Sequence, residues 1–271
     1  MNKYVAVGAG VLGLLAFNAV ADDSDDVRPG SSTIAVKWEH KILEGRTDKP
    51  KVEFAHRMRN GFQFGIEQVW LYDRSVPEIE AGYAPEQYEM NFKTDYKWTW
   101  GNKKHQAGPV LDYQIKEDSK NIRVGAYYGY RLTKNISTKV RARYSTNLDR
   151  IRIGDGERDD INKEMRYDFW LTYRWDAFTF VWDAILLQKL SSNLNSSGVE
   201  QHIFDNNKQT AWEHEFSAEY RMPEAREHAF YGKFKLKQAL RKASHTEEKN
   251  GGYDWYGKHD NAIEIGYKYR F

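Results

Sequence analysis

A chain of 271 residues with 41 Lys and Arg against 39 Asp and Glu carries a formal charge of only +2, so no net charge draws it to nucleic acid or to an acidic membrane surface. It has no cysteine, which excludes disulfides and thiolate zinc sites. Charged residues make up 30% of it, and no run approaches the roughly 18 consecutive apolar residues of a transmembrane helix, so helical membrane spans are excluded as well.

In chain order, Lys3, the apolar stretch from Val5 to Phe17 and Ala19-Val20-Ala21 before Asp22 have the layout of a secretory signal peptide. At about 13 residues the apolar stretch is too short to span a bilayer. Residues 1–21 are therefore expected to be removed and residues 22–271 to form one domain, since nothing from Ser32 to Phe271 reads as a linker. Asp22 to Gly30 reads as an exposed acidic leader.

From there the dominant pattern has a period of two, with apolar or aromatic residues on one parity and charged or small ones on the other. Thr33 to Ile42 sets Ile34, Val36, Trp38 and Ile42 against Lys37, Glu39 and Lys41, with His40 as a polar intruder. The same alternation marks Lys51 to Arg59, Phe62 to Trp70, Gln87 to Trp98, His105 to Lys116 and Asn121 to Leu132. It continues through Asn135 to Ser145, Glu164 to Trp175, Phe178 to Leu187, Thr210 to Arg221, Ala229 to Gln238 and Asn261 to Phe271. These twelve segments of near ten residues match tilted strands that cross a bilayer, in which lipid meets only every second side chain.

The connections alternate in length. Leu43 to Pro50, Leu71 to Glu86, Thr146 to Lys163, Gln188 to Gln209 and Ala239 to Asp260 are long and polar; Asn60-Gly61, Thr99 to Lys104, Thr133-Lys134 and Asp176-Ala177 are turn-sized. Glu117 to Lys120 is a short exception on the long-loop side. Asn60-Gly61 is a hairpin dipeptide in which both positions tolerate positive φ. Long loops on one side and tight turns on the other predict an all-β, twelve-stranded antiparallel transmembrane β-barrel in a bacterial outer membrane. Aromatics near strand ends, such as Trp98 with Trp100 and Tyr173 with Trp175, fit interfacial girdles, although aromatic β-propensity alone also favours such positions.

The polar parity then lines a water-filled lumen. One basic strip is expected from Arg123 and Arg131 on the sixth strand, Lys139, Arg141 and Arg143 on the seventh, and Arg166 and Arg174 on the eighth. A second is expected from Lys233, Lys235 and Lys237 on the eleventh strand, Lys268 and Arg270 on the twelfth, Lys37 and Lys41 on the first, and Arg57 and Arg59 on the second. Lys93 and Lys97 share the inward parity of the fourth. Facing cationic strips suit the passage of anions by weak, repeated binding. The alternative is that inward acids, Glu39, Glu53, Glu89, Asp112, Glu164, Asp168, Glu213, Glu215 and Glu219 among them, pair with these bases across neighbouring strands. Arg141 and Arg143 have no acid between them on their own strand, which favours an anion track there.

Motifs for chemistry are lacking. Gly8 to Gly13 matches a dinucleotide fingerprint inside the signal peptide, with no strand before it, and His214-Glu215 lacks the second histidine of a zinc protease. No His-x-Ser occurs, and His259-Asp260 and Asp159-Asp160 are adjacent pairs in polar loops. No enzyme, metal site or cofactor is expected, though Asp155 to Asp160 offers loop acids to calcium. The expected function is passive diffusion of anions; a non-transport adhesin or structural anchor acting through long loops is the alternative.

The chain also resembles the oligogalacturonate-specific, KdgM-like porin family. The likeness rests on Trp38-Glu39-His40, on His56-Arg57-Met58-Arg59-Asn60-Gly61-Phe62 followed by Glu67, on Arg141-Ala142-Arg143-Tyr144 and on Gly266-Tyr267-Lys268-Tyr269-Arg270-Phe271. Lys37-Trp38 departs from the family's opening, where an Arg is usual. The resemblance implies a monomeric porin with arginines in its pore, passing oligogalacturonate, alginate or sialic-acid-like oligouronates. It also implies a C-terminal Phe271 read by the barrel assembly machinery, and contact with outer-membrane lipid and lipopolysaccharide. No nucleic-acid partner is expected.

Overall fold

The computed structural model describes residues 30–42, 47–73, 86–116, 119–148, 152–153, 156–157, 163–190, 210–237 and 261–271. Residues 1–29, with the expected signal peptide and acidic leader, lie outside that set, as do His259-Asp260, Asp159-Asp160 and most of the Gln188 to Gln209 loop. The strands are β1 (Ser31–Lys41), β2 (Thr47–Arg57), β3 (Phe62–Asp73), β4 (Glu86–Tyr96, continuing as Trp98–Trp100), β5 (His105–Lys116) and β6 (Lys120–Arg131). They are followed by β7 (Ile136–Asn147), β8 (Lys163–Trp175), β9 (Phe178–Lys189), β10 (Thr210–Arg221), β11 (His228–Leu236) and β12 (Ala262–Arg270). A two-residue hairpin, Arg152–Ile153 with Gly156–Glu157, stands apart between β7 and β8.

Each strand pairs antiparallel with its chain neighbours, and β12 pairs with β1 from Ala262↔Lys41 to Arg270↔Thr33, so the sheet closes on itself. The result is an all-β, closed, twelve-stranded antiparallel barrel. Closure satisfies every strand edge, which a sheet in hydrocarbon requires because no water is there to hydrogen-bond a free edge. The seam is held to its end: the amide of Ser32 donates to the carbonyl of Phe271 at 2.8 Å, and the amide of Phe271 donates back at 3.0 Å.

Period two now has its physical meaning. Val36, Val124, Val140, Phe234 and Ile265 are exposed on the outer face, where lipid would lie. On the other parity charged side chains are buried beside Ile185 and small alanines, including Glu39, Asp168, Lys235 and Glu264. The interior of the barrel is thus an ionic core in place of an apolar one. Aromatic rings gather at the turn end of the outer face: Tyr269 stacks on Phe271 at 5.8 Å, Trp175 on Phe178 at 6.3 Å, and Trp100 on His105 at 5.4 Å.

The Asn60-Gly61 turn differs from expectation. Only Gly61 takes positive φ, at 95°, and Gly61 N–H donates to the Met58 carbonyl at 3.1 Å, so the loop has three residues and includes Arg59. That is a type I turn closed by a left-handed glycine, and it ends β2 at Arg57. At Asp176-Ala177 the first residue carries φ 50°, which aspartate tolerates better than most. Across the short connection after β5 the Lys116 amide donates to the Ser119 carbonyl at 2.8 Å.

Glycine has a specific use on the inner wall. A Cβ on Gly266 would lie 2.4 Å from the Tyr231 ring, so the missing side chain is what lets that ring rest across β12. Replacing Gly266 by Leu is expected to displace Tyr231, break its 3.1 Å hydrogen bond to Glu264, and destabilise the barrel by about 1–3 kcal/mol. Urea titration followed by gel mobility of folded and unfolded forms measures this; an unchanged midpoint would refute it.

Candidate functional site

The inner wall is built from register. On β6 to β8, Arg143 stands opposite Arg166 and Gly125, and Arg141 opposite Asp168 and Tyr127. A Cβ on Gly125 would lie 2.8 Å from Arg143 Cγ, so the glycine clears the path by which Arg143 reaches over β6 to Asp112, Nη1 to Oδ2 at 2.5 Å. Arg141 Nε donates to Asp168 Oδ2 at 3.0 Å, and Arg166 Nε to Asp168 Oδ1 at 2.7 Å. Arg123 donates to Gln114 Oε1 at 2.6 Å. Lys139 has no ion pair among the described residues; its ammonium rests over the Trp170 ring at 4.1 Å and the Tyr127 ring at 5.4 Å. Three guanidiniums thus share Asp112 and Asp168 while Arg123 and Lys139 have no carboxylate partner among the described residues, and buried Arg143 keeps an Nε without a partner among them.

The opposite wall is different. Lys51 and Lys235 both bridge Glu39 and Glu264, at 2.6 and 2.8 Å for Lys51 and at 2.5 and 3.0 Å for Lys235. Lys37 bonds both Glu53 and Glu67, the latter at 2.8 Å, and Lys93 reaches the same two acids at 3.4 and 3.1 Å. Each of these clusters sets two ammoniums against two carboxylates. Lys233 pairs with Glu215 at 2.8 Å, Lys268 with Glu219 at 2.7 Å, and Arg57 with Asp95 at 3.0 Å. The ring order puts β7 halfway round from β1, so the expected strips do lie on opposite walls. They are not equivalent: one has surplus cations, and the other is largely neutralised by its own acids.

Several sequence-derived positions sit elsewhere. Arg59 is in the exposed β2–β3 turn, because the glycine-closed loop takes it off the strand. Arg131 ends β6 and Arg174 lies next to the last residue of β8, both exposed at the turn-side mouth. Lys97 falls in the break of β4, where its amide donates to the Gly61 carbonyl at 3.0 Å, and Lys237 is one residue beyond β11.

Sequence reasoning missed Lys51 and Glu264 and reached Glu67 only through the family resemblance, although the same parity rule places all three inward. It also missed that Tyr127, Trp170 and Tyr231 take inward positions, against the rule that put aromatics outside. On β9 half of the inward positions are apolar, Val181, Ile185 and Leu187, which hid Asp183 among them. Glu264 also lines a cavity of ≈ 220 Å³, with Lys37, Glu53, Val181, Tyr231, Lys233 and Lys268 among its other walls.

No protein-family model matches the chain, and no curated protein matches it. Solved structures do. The NanC porin in a rhombohedral crystal form superposes with a TM-score of 0.67 at 14% identity, over 87% of this chain and 98% of that one. The KdgM porin does so with 0.55 at 12% identity, over 88% and 99%; a further structure of that porin is of its complex with disordered oligogalacturonate. The COG4313 outer membrane channel from Pseudomonas putida F1 matches with 0.55 at 9% identity, over 94% and 100%. At such identities the likeness is one of fold, and the fold is that of outer-membrane porins.

Proposed function

We propose that the chain is an outer-membrane porin through which acidic oligosaccharides of the oligouronate type diffuse passively, led by the cationic wall of β6 to β8. The observation that carries this reading is the imbalance of ion pairing on that wall: among the described residues the ion pairs of Arg123, Lys139, Arg141, Arg143 and Arg166 reach only Asp112 and Asp168, with Glu89, Glu164 and Asp183 farther off. Surplus guanidiniums in a narrow, low-dielectric passage hold a positive potential that concentrates anions, and forks spaced along a wall pass a carboxylate on without a deep trap. The opposed, self-neutralised wall adds no competing pull.

The rest of the reading follows from the location. Residues 1–21 act as the export signal, the outer face meets outer-membrane lipid and lipopolysaccharide, and the barrel works as a monomer. Phe271, held in the seam with β1, is the residue offered to the barrel assembly machinery. The test is a planar bilayer. The channel is expected to prefer chloride over potassium in a salt gradient, and its current to be blocked by micromolar to millimolar oligogalacturonate; cation preference, or indifference to acidic oligosaccharides, refutes the proposal.

A further inference from the structure

Tyr127, Trp170 and Tyr231 each face inward with a cation over the ring, and Trp170 has neither the glycine seat nor the hydrogen bond that holds the other two. Tyr231 lies over Gly266 and donates to Glu264. Tyr127 lies against Gly108 and donates to the Tyr96 carbonyl at 3.2 Å. The half-buried Trp170 stands between Lys139 on β7 and Asp183 on β9, each directly opposite it in register. Lys139 Nζ sits 4.1 Å and the Arg141 guanidinium carbon 4.7 Å from the ring centroid. On the other side Asp183, 6% exposed, keeps an Oδ1 with no hydrogen-bond partner among the described residues.

We propose that Trp170, Lys139, Arg141 and Asp183 form a single sugar subsite that takes one pyranose ring of an acidic oligosaccharide. The inference rests on the porin reading above and adds to it a place where the sugar itself, beyond its charge, is recognised. A pyranose has an apolar face of C–H groups, which an indole suits, and a rim of hydroxyls, which donate to a carboxylate. A uronate adds a carboxylate on one edge. The row of side chains matches that chemistry: cations on one side of the indole, a buried acid on the other. Only one orientation avoids like charge, with the sugar carboxylate toward Lys139 and Arg141 and its hydroxyls toward Asp183. Lys139, with no acid partner of its own, then leaves the ring for the incoming carboxylate and frees the face on which the sugar stacks.

The experiment compares block of single channels by trigalacturonate in the wild type, Trp170→Ala and Trp170→Phe. Residence of the trimer is expected to shorten about tenfold in Trp170→Ala, the size of one lost aromatic contact, and to be largely kept in Trp170→Phe. The chloride preference in plain salt is expected to stay the same in all three, because the arginines remain. Unchanged residence in Trp170→Ala overturns the subsite while leaving the porin reading intact, and so does a loss of chloride preference in step with residence, which would make Trp170 a structural support. A wild-type channel that trigalacturonate does not block overturns both.

Discussion

Changing Arg141 and Arg143 together to serine is expected to lower the chloride-over-potassium permeability ratio about tenfold, the scale on which a like-signed, narrow cleft concentrates counter-ions. These two residues carry the surplus on the β6 to β8 wall. Without them Asp168 keeps Arg166 as its partner and Asp112 loses the 2.5 Å contact from Arg143, so the wall moves toward neutrality. Reversal potentials across a potassium chloride gradient measure the ratio. The control is Lys103 and Lys104 changed to serine in the exposed β4–β5 turn, which removes the same charge from outside the lumen. Equal shifts in both double variants would mean that the pair has no special place in selectivity. The difference between them should shrink as salt rises, since the screening length falls from about 10 Å at 0.1 M to about 3 Å at 1 M.

The second large effect concerns stability. Lys235→Met is expected to destabilise the barrel by about 3–5 kcal/mol, because it leaves Glu39 and Glu264 sharing Lys51 alone in a buried setting. All four side chains are at most 12% exposed, so water is in no position to replace the missing ammonium. Lys268→Met, which breaks one pair to Glu219 at a side chain 35% exposed, should cost under about 1 kcal/mol. Urea unfolding in detergent, read by gel mobility, separates the two. Similar midpoints would show that the square of charges is hydrated and adds little.

The same two variants mark where the sequence was and was not legible. That Lys235 and Arg141 would both face inward was readable, because side chains on a regular strand alternate and one face had to meet lipid. That Lys235 would be neutralised and Arg141 left in surplus was not. Lys235 meets Glu39 and Glu264 only through the closure of β12 on β1 and β11 beside them, contacts between residues far apart in the chain. Arg143 meets Asp112 by crossing β6 at Gly125, a path that depends on one missing Cβ. The surplus was sought on the strand itself, in the lack of an acid between Arg141 and Arg143, whereas pairing is decided by the neighbouring strands.

By itself the sequence determined the class, the number of strands and the face of most charged and aliphatic residues, since these follow from a period of two, strand lengths near a bilayer's thickness and the alternation of long and short connections. Turn chemistry at Asn60-Gly61 was half determined: the glycine was bound to take positive φ, but the loop length, and with it the loss of Arg59 from the lumen, depended on which hydrogen bond closed the turn. Only the tertiary structure decided which charges cancel, which wall stays positive, and that Trp170 lies between a cation and an acid. Register between strands sets these, and register is a property of the closed ring as a whole, because a shift at any one pair would have to be matched all the way round to the seam.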